Sequence, residues 1–224
     1  MFRVTDSEIY IYDIIGKSDL GFIGADAILE ALDSMNGKRV TVRINSPGGE
    51  VDEASSIYNM LRRHNGGVDV FIDSLAASAA SFIAMAGETV TIAKNGMLMI
   101  HDPWTIAIGN AESMRRTADV LDKYGDRLIP MYQEKTGKTA DEIRQIMAAE
   151  TWYTASEALS EGFVDAIEGV SDAEPVAPSS LLPNKPEAIK DSEIEVGSRV
   201  VAPRRQYAQT MLRIMTAKFS KKLT

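Results

Sequence analysis

Hydrophobic and polar positions follow a repeated strand–helix order over the first 170 residues. Short runs rich in β-branched and aromatic residues predict strands at 8–15, 38–45, 68–73, 89–93 and 97–101. Apolar residues at helical spacing predict helices at 24–35 and 50–67. Strands that alternate with helices through short connections form a largely parallel, buried sheet. The pattern therefore predicts an α/β fold.

The region after residue 101 is mostly helical. A long helix is predicted from about Ala111 to Lys135, and its many charges indicate that it projects from the body or faces a partner subunit. The segment 139–150 opens with a threonine and has an acid three residues later, which predicts a capping box. Residues 154–167 predict a short helix, a glycine stop and a final strand.

The composition changes near residue 171, so we expect a folded domain over residues 1–170 and two further parts. Residues 171–197 hold four of the eight prolines and predict a flexible linker. Residues 198–224 predict a basic amphipathic helix. From residue 197 onward there are seven Lys/Arg and no acid, whereas the rest of the chain holds 17 bases and 32 acids. An acidic body with a basic tail indicates that the tail has its own partner.

The composition excludes some kinds of chemistry. The chain has no cysteine, which rules out disulfides, thiolate metal sites and cysteine nucleophiles. We find no secretory signal at the N-terminus and no apolar run approaching the roughly 20 residues of a membrane helix. We therefore expect a cytoplasmic protein that does not bind membranes.

Two strand-to-helix turns are candidate functional sites. In the first, INSPGGEV (44–51), two glycines before a helix allow backbone N–H groups to approach a phosphate or an oxyanion. The turn lacks the Lys-Ser/Thr ending of a P-loop, and a simple tight turn also explains it. In the second, SLAASAASF (74–82), a serine at the start of the helix has the placement of a nucleophile elbow. Close packing of small residues explains that stretch equally well.

A serine nucleophile needs a base, and the chain has two histidines. His64 is predicted in the last turn of a helix, where a cation complements the helix dipole and a structural role suffices. His101 ends an apolar strand just before Asp102 and Pro103, which is a better place for a catalytic base.

Four stretches, in this order, resemble the ClpP family of serine proteases between about residues 7 and 168: INSPGGEVDEASSIYNML, DSLAASAASFIAMAG, NGMLMIHDPW and ETWYTASEALSEGFVDAI. The resemblance implies a ClpP/crotonase-type β-α-β superhelix in which helix 111–135 is the projecting handle. It implies that Ser78 is the nucleophile and His101 the general base. It also implies that the backbone N–H groups of Gly49 and Ala79 form the oxyanion hole, and that the enzyme needs no cofactor or metal.

The chain departs from the family pattern at two places. Ala79-Ala80 replaces the usual methionine and glycine, but a backbone N–H donor is available from any residue except proline. Glu150 replaces the aspartate that completes the family's triad, and Asp102 is the alternative acid. Glutamate can orient an imidazole, although its extra methylene requires a slightly more distant backbone.

The linker, the basic tail and the stretch ETWYTA make the chain resemble ClpP-related head maturation (prohead) proteases of tailed phages and prophages. That resemblance implies an endopeptidase that cleaves phage scaffold and capsid proteins. In that setting, the charge asymmetry of the chain suggests that the basic tail tethers the protease to acidic scaffold or capsid protein. The resemblance of helix 111–135 to the handle of the ClpP family implies a homo-oligomer of heptameric rings, stacked in pairs as a 14-mer. The acidic body disfavours nucleic acid as a partner.

Four other functions remain open. One is a housekeeping Clp proteolytic subunit whose substrates are supplied by an AAA+ unfoldase. The second is a crotonase-type acyl-CoA enzyme, which would not need Ser78 and His101 together. The third is a non-catalytic ring-forming assembly factor, to be considered if Glu150 does not reach His101. A Ser/Lys peptidase is the fourth, and the absence of a lysine near the matching motifs argues against it.

Overall fold

The structure is a computed structural model and describes residues 1–169. Its strands are β1 (Phe2–Val4), β2 (Glu8–Ile11), β3 (Val40–Ser46), β4 (Val68–Ala77), β5 (Thr89–Ile92), β6 (Met97–Ile100), β7 (Thr151–Thr154) and β8 (Ala166–Ile167). Its α-helices are α1 (Ala25–Ser34), α2 (Val51–Arg62), α3 (Ala79–Ala84), α4 (Ala111–Thr136), α5 (Ala140–Ala148) and α6 (Ala155–Ser160). The linker and tail predicted at 171–197 and 198–224 lie outside the described residues.

The strands form one eight-stranded sheet in the order β1-β2-β3-β4-β5-β8, and β6 joins it through β4. The pairs from β2 to β8 along this order are parallel, whereas β1 pairs antiparallel with β2 and β7 antiparallel with β6. The predicted α/β class with a largely parallel sheet is confirmed.

Strand β4 is where the sheet divides. Its first part, Asp69–Ile72, pairs with β5, and its last part, Leu75–Ala77, pairs with β6. The register between β3 and β4 also shifts between Ile44 and Ser46. As a result, β6 and β7 leave the main sheet at the end of β4, beside the start of α3.

The core lies between the sheet and the helices that follow its strands. Along β3, Val40, Val42 and Ile44 are fully buried and alternate with more exposed residues. Complete burial of such a side chain contributes about 1.5–3 kcal/mol. All six residues of α3 (Ala79–Ala84) are buried, and four of them are alanine or serine, whose small side chains let this helix pack closely inside the protein. The packing interpretation of the alanine-rich stretch is therefore correct for α3.

Helix α4 begins where the side chain of Asn110 accepts a hydrogen bond from the Ser113 N–H at 2.9 Å. It ends at Gly137, whose φ of +70° is typical of a glycine C-cap. The first half of the helix is largely exposed, and its buried residues all lie in the second half: Gly125, Leu128, Ile129 and Tyr132. The exposed first half fits the prediction that this helix projects from the body or faces a partner subunit, whereas its second half packs against the core.

The remaining predictions differ from the structure mainly at element ends. The capping box is confirmed at Thr139 and Glu142. Strand β4 continues to Ala77, four residues beyond the predicted end at residue 73. Strands β1 and β7 were not predicted. Within residues 1–169, no helix is both long enough and apolar enough to cross a membrane.

Candidate active site

Ser78 lies at the junction of β4 and α3, where it is the N-cap of the helix. Its backbone has φ 55° and ψ −124°, a conformation that L-residues rarely adopt and that costs about 1–3 kcal/mol. The Ser78 N–H donates to the Met99 carbonyl at 2.9 Å, which fixes the turn against β6. The side chain is only partly buried, so a substrate can reach it.

His101 directly follows β6, and its Nε2 lies 2.7 Å from the Ser78 Oγ. The parallel pairing of Ala77 with Met99 brings the ends of β4 and β6 together and places these two residues side by side. A neutral imidazole with its proton on Nδ1 accepts the serine hydroxyl proton at Nε2. The contact therefore has the geometry of a nucleophile and its general base.

Glu150 reaches the other side of the imidazole. Strands β6 and β7 are antiparallel with Ile100 opposite Thr151, so the next position along this register places His101 opposite Glu150. The Glu150 Oε2 lies 3.9 Å from the His101 Nδ1, at the outer limit of an ion pair and longer than a hydrogen bond. A carboxylate at this place stabilises the imidazolium that forms when His101 takes a proton.

The backbone of Glu150 is in the left-handed region, with φ 49°. Glycine and asparagine are the usual residues here, and a left-handed conformation costs other residues about 1–2 kcal/mol. Among the described non-glycine residues, only Asn36, Ser78 and Glu150 have a positive φ. Two of these three are the candidate nucleophile and the candidate acid, and strained backbone is concentrated at functional sites.

The diglycine turn after β3 packs against the nucleophile. A Cβ on Gly48, whose φ is +94°, would lie 2.6–2.8 Å from the Ala77 carbonyl oxygen, the Ser78 Cβ and the Ala79 nitrogen. A Cβ on Gly49 would lie 1.8 Å from the Ile15 carbonyl oxygen. The turn therefore requires glycine at both positions, and it brings its backbone next to the Ser78–Ala79 peptide.

Ser46 fixes the conformation of this turn through two hydrogen bonds. Its fully buried hydroxyl donates to the Asp13 carbonyl at 2.6 Å and accepts from the Gly48 N–H at 3.1 Å. The Ile15 N–H donates to the Gly48 carbonyl at 2.9 Å and adds a second restraint. The backbone of the predicted oxyanion turn is thus fixed before any substrate binds.

Asp102, the alternative acid, is oriented towards α4. Its Oδ1 lies 4.0 Å from the position that a Cβ on Gly125 would occupy, and its N–H donates to the Met147 carbonyl at 3.2 Å. Burial raises the pKa of the Asp102 carboxyl, His101 opposes that rise, and Asp122 adds to it. The geometry therefore favours Glu150 over Asp102 as the acid beside His101.

His64 lies outside this cluster, just beyond the end of α2, and its Nε2 contacts the Lys38 carbonyl at 2.6 Å. Sequence reasoning missed one neighbour of the site, the buried contact between the Ser81 hydroxyl and the Tyr132 hydroxyl at 2.7 Å. Ser81 belongs to the same stretch as Ser78, but its partner is 51 residues away, and no local pattern connects the two. Within residues 1–169, no group of three or more His, Asp or Glu side chains is arranged to hold a metal ion.

Comparison with known proteins identifies relatives of the chain. A family model described as Clp protease matches residues 8–170. A protein named ATP-dependent Clp protease proteolytic subunit 1, from Protochlamydia amoebophila (strain UWE25), is 30% identical over 135 residues, covering 58% of this chain and 66% of that protein. The protein of the same name from Leifsonia xyli subsp. xyli (strain CTCB07) is 28% identical over 164 residues, covering 72% of this chain and 83% of that protein.

A solved structure, a ClpP1 mutant from Listeria monocytogenes, has a TM-score of 0.64 with 23% identity. The match covers 72% of this chain and 91% of that chain. At this level of identity the likeness shows a shared fold, which is the predicted ClpP-type arrangement of sheet and helices.

Proposed function

This chain belongs to the Clp protease family, and we propose that it is a serine endopeptidase with Ser78 as nucleophile and His101 as general base. The observation that carries the proposal is the 2.7 Å contact between the His101 Nε2 and the Ser78 Oγ. Glu150 is the proposed acid, on the opposite side of the imidazole.

In the proposed reaction, His101 takes the Ser78 proton as the Oγ attacks the peptide carbonyl carbon. The protonated imidazole then gives this proton to the leaving amine, and the peptide bond breaks to leave an acyl-enzyme on Ser78. Water attacks the acyl-enzyme, with His101 again acting as base, and releases the new carboxyl end. Glu150 stabilises the transient positive charge on the imidazole.

The tetrahedral intermediate carries a negative oxygen that needs hydrogen-bond donors. The backbone N–H groups of Gly49 and Ala79 are the proposed donors. One belongs to the diglycine turn, and the other directly follows the nucleophile. Support comes from the close approach of Gly48 to Ser78 and Ala79. Loss of one such donor typically lowers kcat by about 10²–10³.

A fluorophosphonate probe tests this proposal directly, because it forms a covalent bond only with an activated serine. We expect the full chain to be labelled and Ser78→Ala to remain unlabelled. Ser74→Ala is the matched control, since Ser74 is an exposed serine four residues earlier in the same stretch. Labelling that persists in Ser78→Ala would show that Ser78 is not the nucleophile. A crotonase-type acyl-CoA enzyme or a non-catalytic assembly factor would give no labelling of the wild-type protein.

The proposed biological role is the cleavage of phage scaffold and capsid proteins during head maturation. It is supported by the basic tail from residue 197 onward, which has seven Lys/Arg and no acid, attached to an acidic body. We expect purified protein to cleave the scaffold or capsid protein encoded beside it, and Ser78→Ala to leave that substrate intact. Removal of residues 197–224 should weaken its co-assembly with these proteins, and unchanged co-assembly would contradict the tether.

A housekeeping role is the second candidate, and the names of the two relatives, both Clp protease proteolytic subunits, favour it. In that case an AAA+ unfoldase would supply unfolded substrates. Degradation of a folded reporter protein only in the presence of such an ATPase and ATP would support this role. Cleavage of scaffold or capsid protein without any ATPase would support the phage role instead.

For its assembly we propose a homo-oligomer of heptameric rings, stacked in pairs. The exposed apolar side chains along and before α4 support this, because a subunit interface would bury them. Ile108 is 97% exposed, Met114 49% and Val120 48%. Native mass spectrometry measures the stoichiometry, and a monomer at working concentrations would contradict the proposal.

A further inference from the structure

Two polar residues, Ser46 and Ser81, are fully buried in the described part of the chain, and both contact the candidate active site. Ser46 fixes the diglycine turn on one side of the nucleophile. Ser81 lies on the other side, one helical turn after Ser78. A buried hydroxyl is unfavourable unless it is hydrogen-bonded, so its partners indicate its role.

The partners of Ser81 connect helix α4 to the nucleophile. Its hydroxyl donates to the Ser78 carbonyl at 2.6 Å, and its N–H donates to the same oxygen at 2.9 Å. The Ser81 Oγ also lies 2.7 Å from the Tyr132 hydroxyl. A serine hydroxyl has a single proton, which here is used on the Ser78 carbonyl, so Tyr132 must be the donor to Ser81.

Tyr132 is well suited to this task. It lies on the buried face of α4 and is 2% exposed, and its ring meets Phe163 edge-on at 6.2 Å. Burial raises the pKa of Tyr132 far above the neutral range, so its hydroxyl keeps its proton. Tyr132 therefore remains a hydrogen-bond donor at neutral pH.

The receiving carbonyl belongs to the peptide unit that carries the Ala79 N–H. A trans peptide is planar and rigid, and its C=O and N–H point in opposite directions. Restraining the Ser78 carbonyl oxygen therefore also restrains the direction of the Ala79 N–H. Hydrogen bonds in a chain also polarise one another, so a bonded carbonyl makes this N–H a stronger donor.

We propose that Ser81 and Tyr132 are positioning residues that aim the Ala79 N–H at the developing oxyanion, an inference that rests on the proposed function. Tyr132 acts only through Ser81, and Ser81 acts only through the Ser78–Ala79 peptide. The strained Ser78 backbone, with φ 55° and ψ −124°, makes such a restraint necessary, because unusual conformations persist only where neighbours enforce them.

The first test is steady-state kinetics of peptide hydrolysis with the full chain. Ser81→Ala removes the side-chain bond to the Ser78 carbonyl but leaves the N–H bond, so we expect kcat to fall about tenfold, less than the loss of a whole donor. Tyr132→Phe keeps the ring against Phe163 and removes only the hydroxyl. We expect kcat to fall about threefold, which is also less than the loss of a whole oxyanion donor would cause. KM should stay unchanged in both, because the oxyanion is absent from the bound substrate and develops only during the reaction.

The double variant Ser81→Ala/Tyr132→Phe separates positioning from packing. If Tyr132 acts through Ser81, its hydroxyl has no effect on kcat once Ser81 is alanine, and the double variant equals Ser81→Ala. An equal loss from Tyr132→Phe in both backgrounds would overturn the proposal, as would unchanged kcat in Ser81→Ala. Tyr58→Phe is the matched control, since Tyr58 is a buried tyrosine of α2 beside Glu134 of α4, and its kcat should equal that of the wild type.

Hydrogen exchange provides a readout that does not depend on catalysis. We expect amides of the segment 78–82 to exchange faster in Ser81→Ala and Tyr132→Phe, with no change in Tyr58→Phe. Fluorophosphonate labelling of the wild-type protein tests the proposed function separately. Faster exchange in the variants without any labelling of the wild-type protein would overturn the proposed enzymatic function but leave the structural restraint standing. Labelling of the wild-type protein with unchanged exchange in the variants would overturn only the positioning role of Ser81 and Tyr132.

Discussion

Replacing Glu150 with asparagine is expected to reduce activity and increase stability together. Its carboxylate lies 3.9 Å from the His101 Nδ1, which favours catalysis, while its backbone φ of 49° disfavours a glutamate. Two substitutions separate these effects. Glu150→Gln removes the charge and leaves the strain, whereas Glu150→Asn removes the charge and places a residue that tolerates the left-handed conformation.

The expected magnitudes follow from the geometry. Two unit charges about 4 Å apart interact by about 1 kcal/mol in water and about 4 kcal/mol near a protein surface. With side chains 14% and 26% exposed, His101 and Glu150 lie between these limits. A loss of about 2–3 kcal/mol of imidazolium stabilisation corresponds to a fall of about 30- to 160-fold in kcat. For Glu150→Asn, relief of the backbone strain should add about 1 kcal/mol of stability.

The assays are peptide hydrolysis and thermal unfolding of the full chain. Both variants should lose activity to a similar extent, and Glu150→Asn should unfold about 2–4 °C higher than Glu150→Gln, the shift that 1 kcal/mol produces in a protein of this size. The matched control is Asn36→Glu, which places a glutamate at an exposed position with φ 52° outside the site. It should lose about 1 kcal/mol of stability with unchanged kcat.

Full activity of Glu150→Gln would refute the assignment of Glu150 as the acid. If Glu150→Asn and Glu150→Gln unfolded at the same temperature, the strain would have no energetic consequence, and the reasoning from its backbone conformation would be wrong.

Three further predictions concern neighbours of the site. Gly48→Ala should lower fluorophosphonate labelling at least about 100-fold, because its Cβ would collide with the nucleophile turn. The control is Gly37→Ala, whose Cβ would meet nothing within 4 Å and which should cost only about 1–2 kcal/mol of stability. Equal labelling of the two variants would contradict this prediction. Burial raises the pKa of Asp102, so its ionised form opposes folding at neutral pH. Asp102→Asn should therefore raise the unfolding temperature at pH 7, and this gain should shrink as the pH falls towards 4; a gain that does not depend on pH would refute the argument. Gly125→Ala should stabilise α4 by about 1 kcal/mol with unchanged kcat, since the new Cβ would make an ordinary 3.8 Å contact with Pro103, and a lower unfolding temperature would show that the contact is strained.

The elements that could be predicted are those in which one sequence pattern persists over many residues. Strand β3 alternates buried and exposed positions, and α5 begins with its own capping box at Thr139 and Glu142. Ser78, His101 and Glu150 were identified through short motifs of a family, and the structure brings all three side chains together. The predicted roles of Gly49 and Ala79 await the kinetic tests above.

The features that could not be predicted depend on contacts between distant residues. Strand β7 is four residues long, and its partner β6 lies on the far side of α4 and α5 in the chain. The hydrogen bond between Ser81 and Tyr132 spans 51 residues and joins two helices with different burial patterns. Local propensity and periodicity describe a single element, so pairings of this kind appear only when the chain is folded.

The antiparallel pairing of β6 with β7 has a consequence for how this protein tolerates change. The ladder that joins Ile100 to Thr151 determines which residue faces His101, and the intervening residues 102–149 do not. Insertions or deletions in the exposed first half of α4 therefore leave the separation between His101 and Glu150 unaltered, provided that β7 pairs with β6 in the same register. The exposed first half of α4 can therefore vary in length, whereas its second half, which carries the buried Tyr132, is fixed by the core.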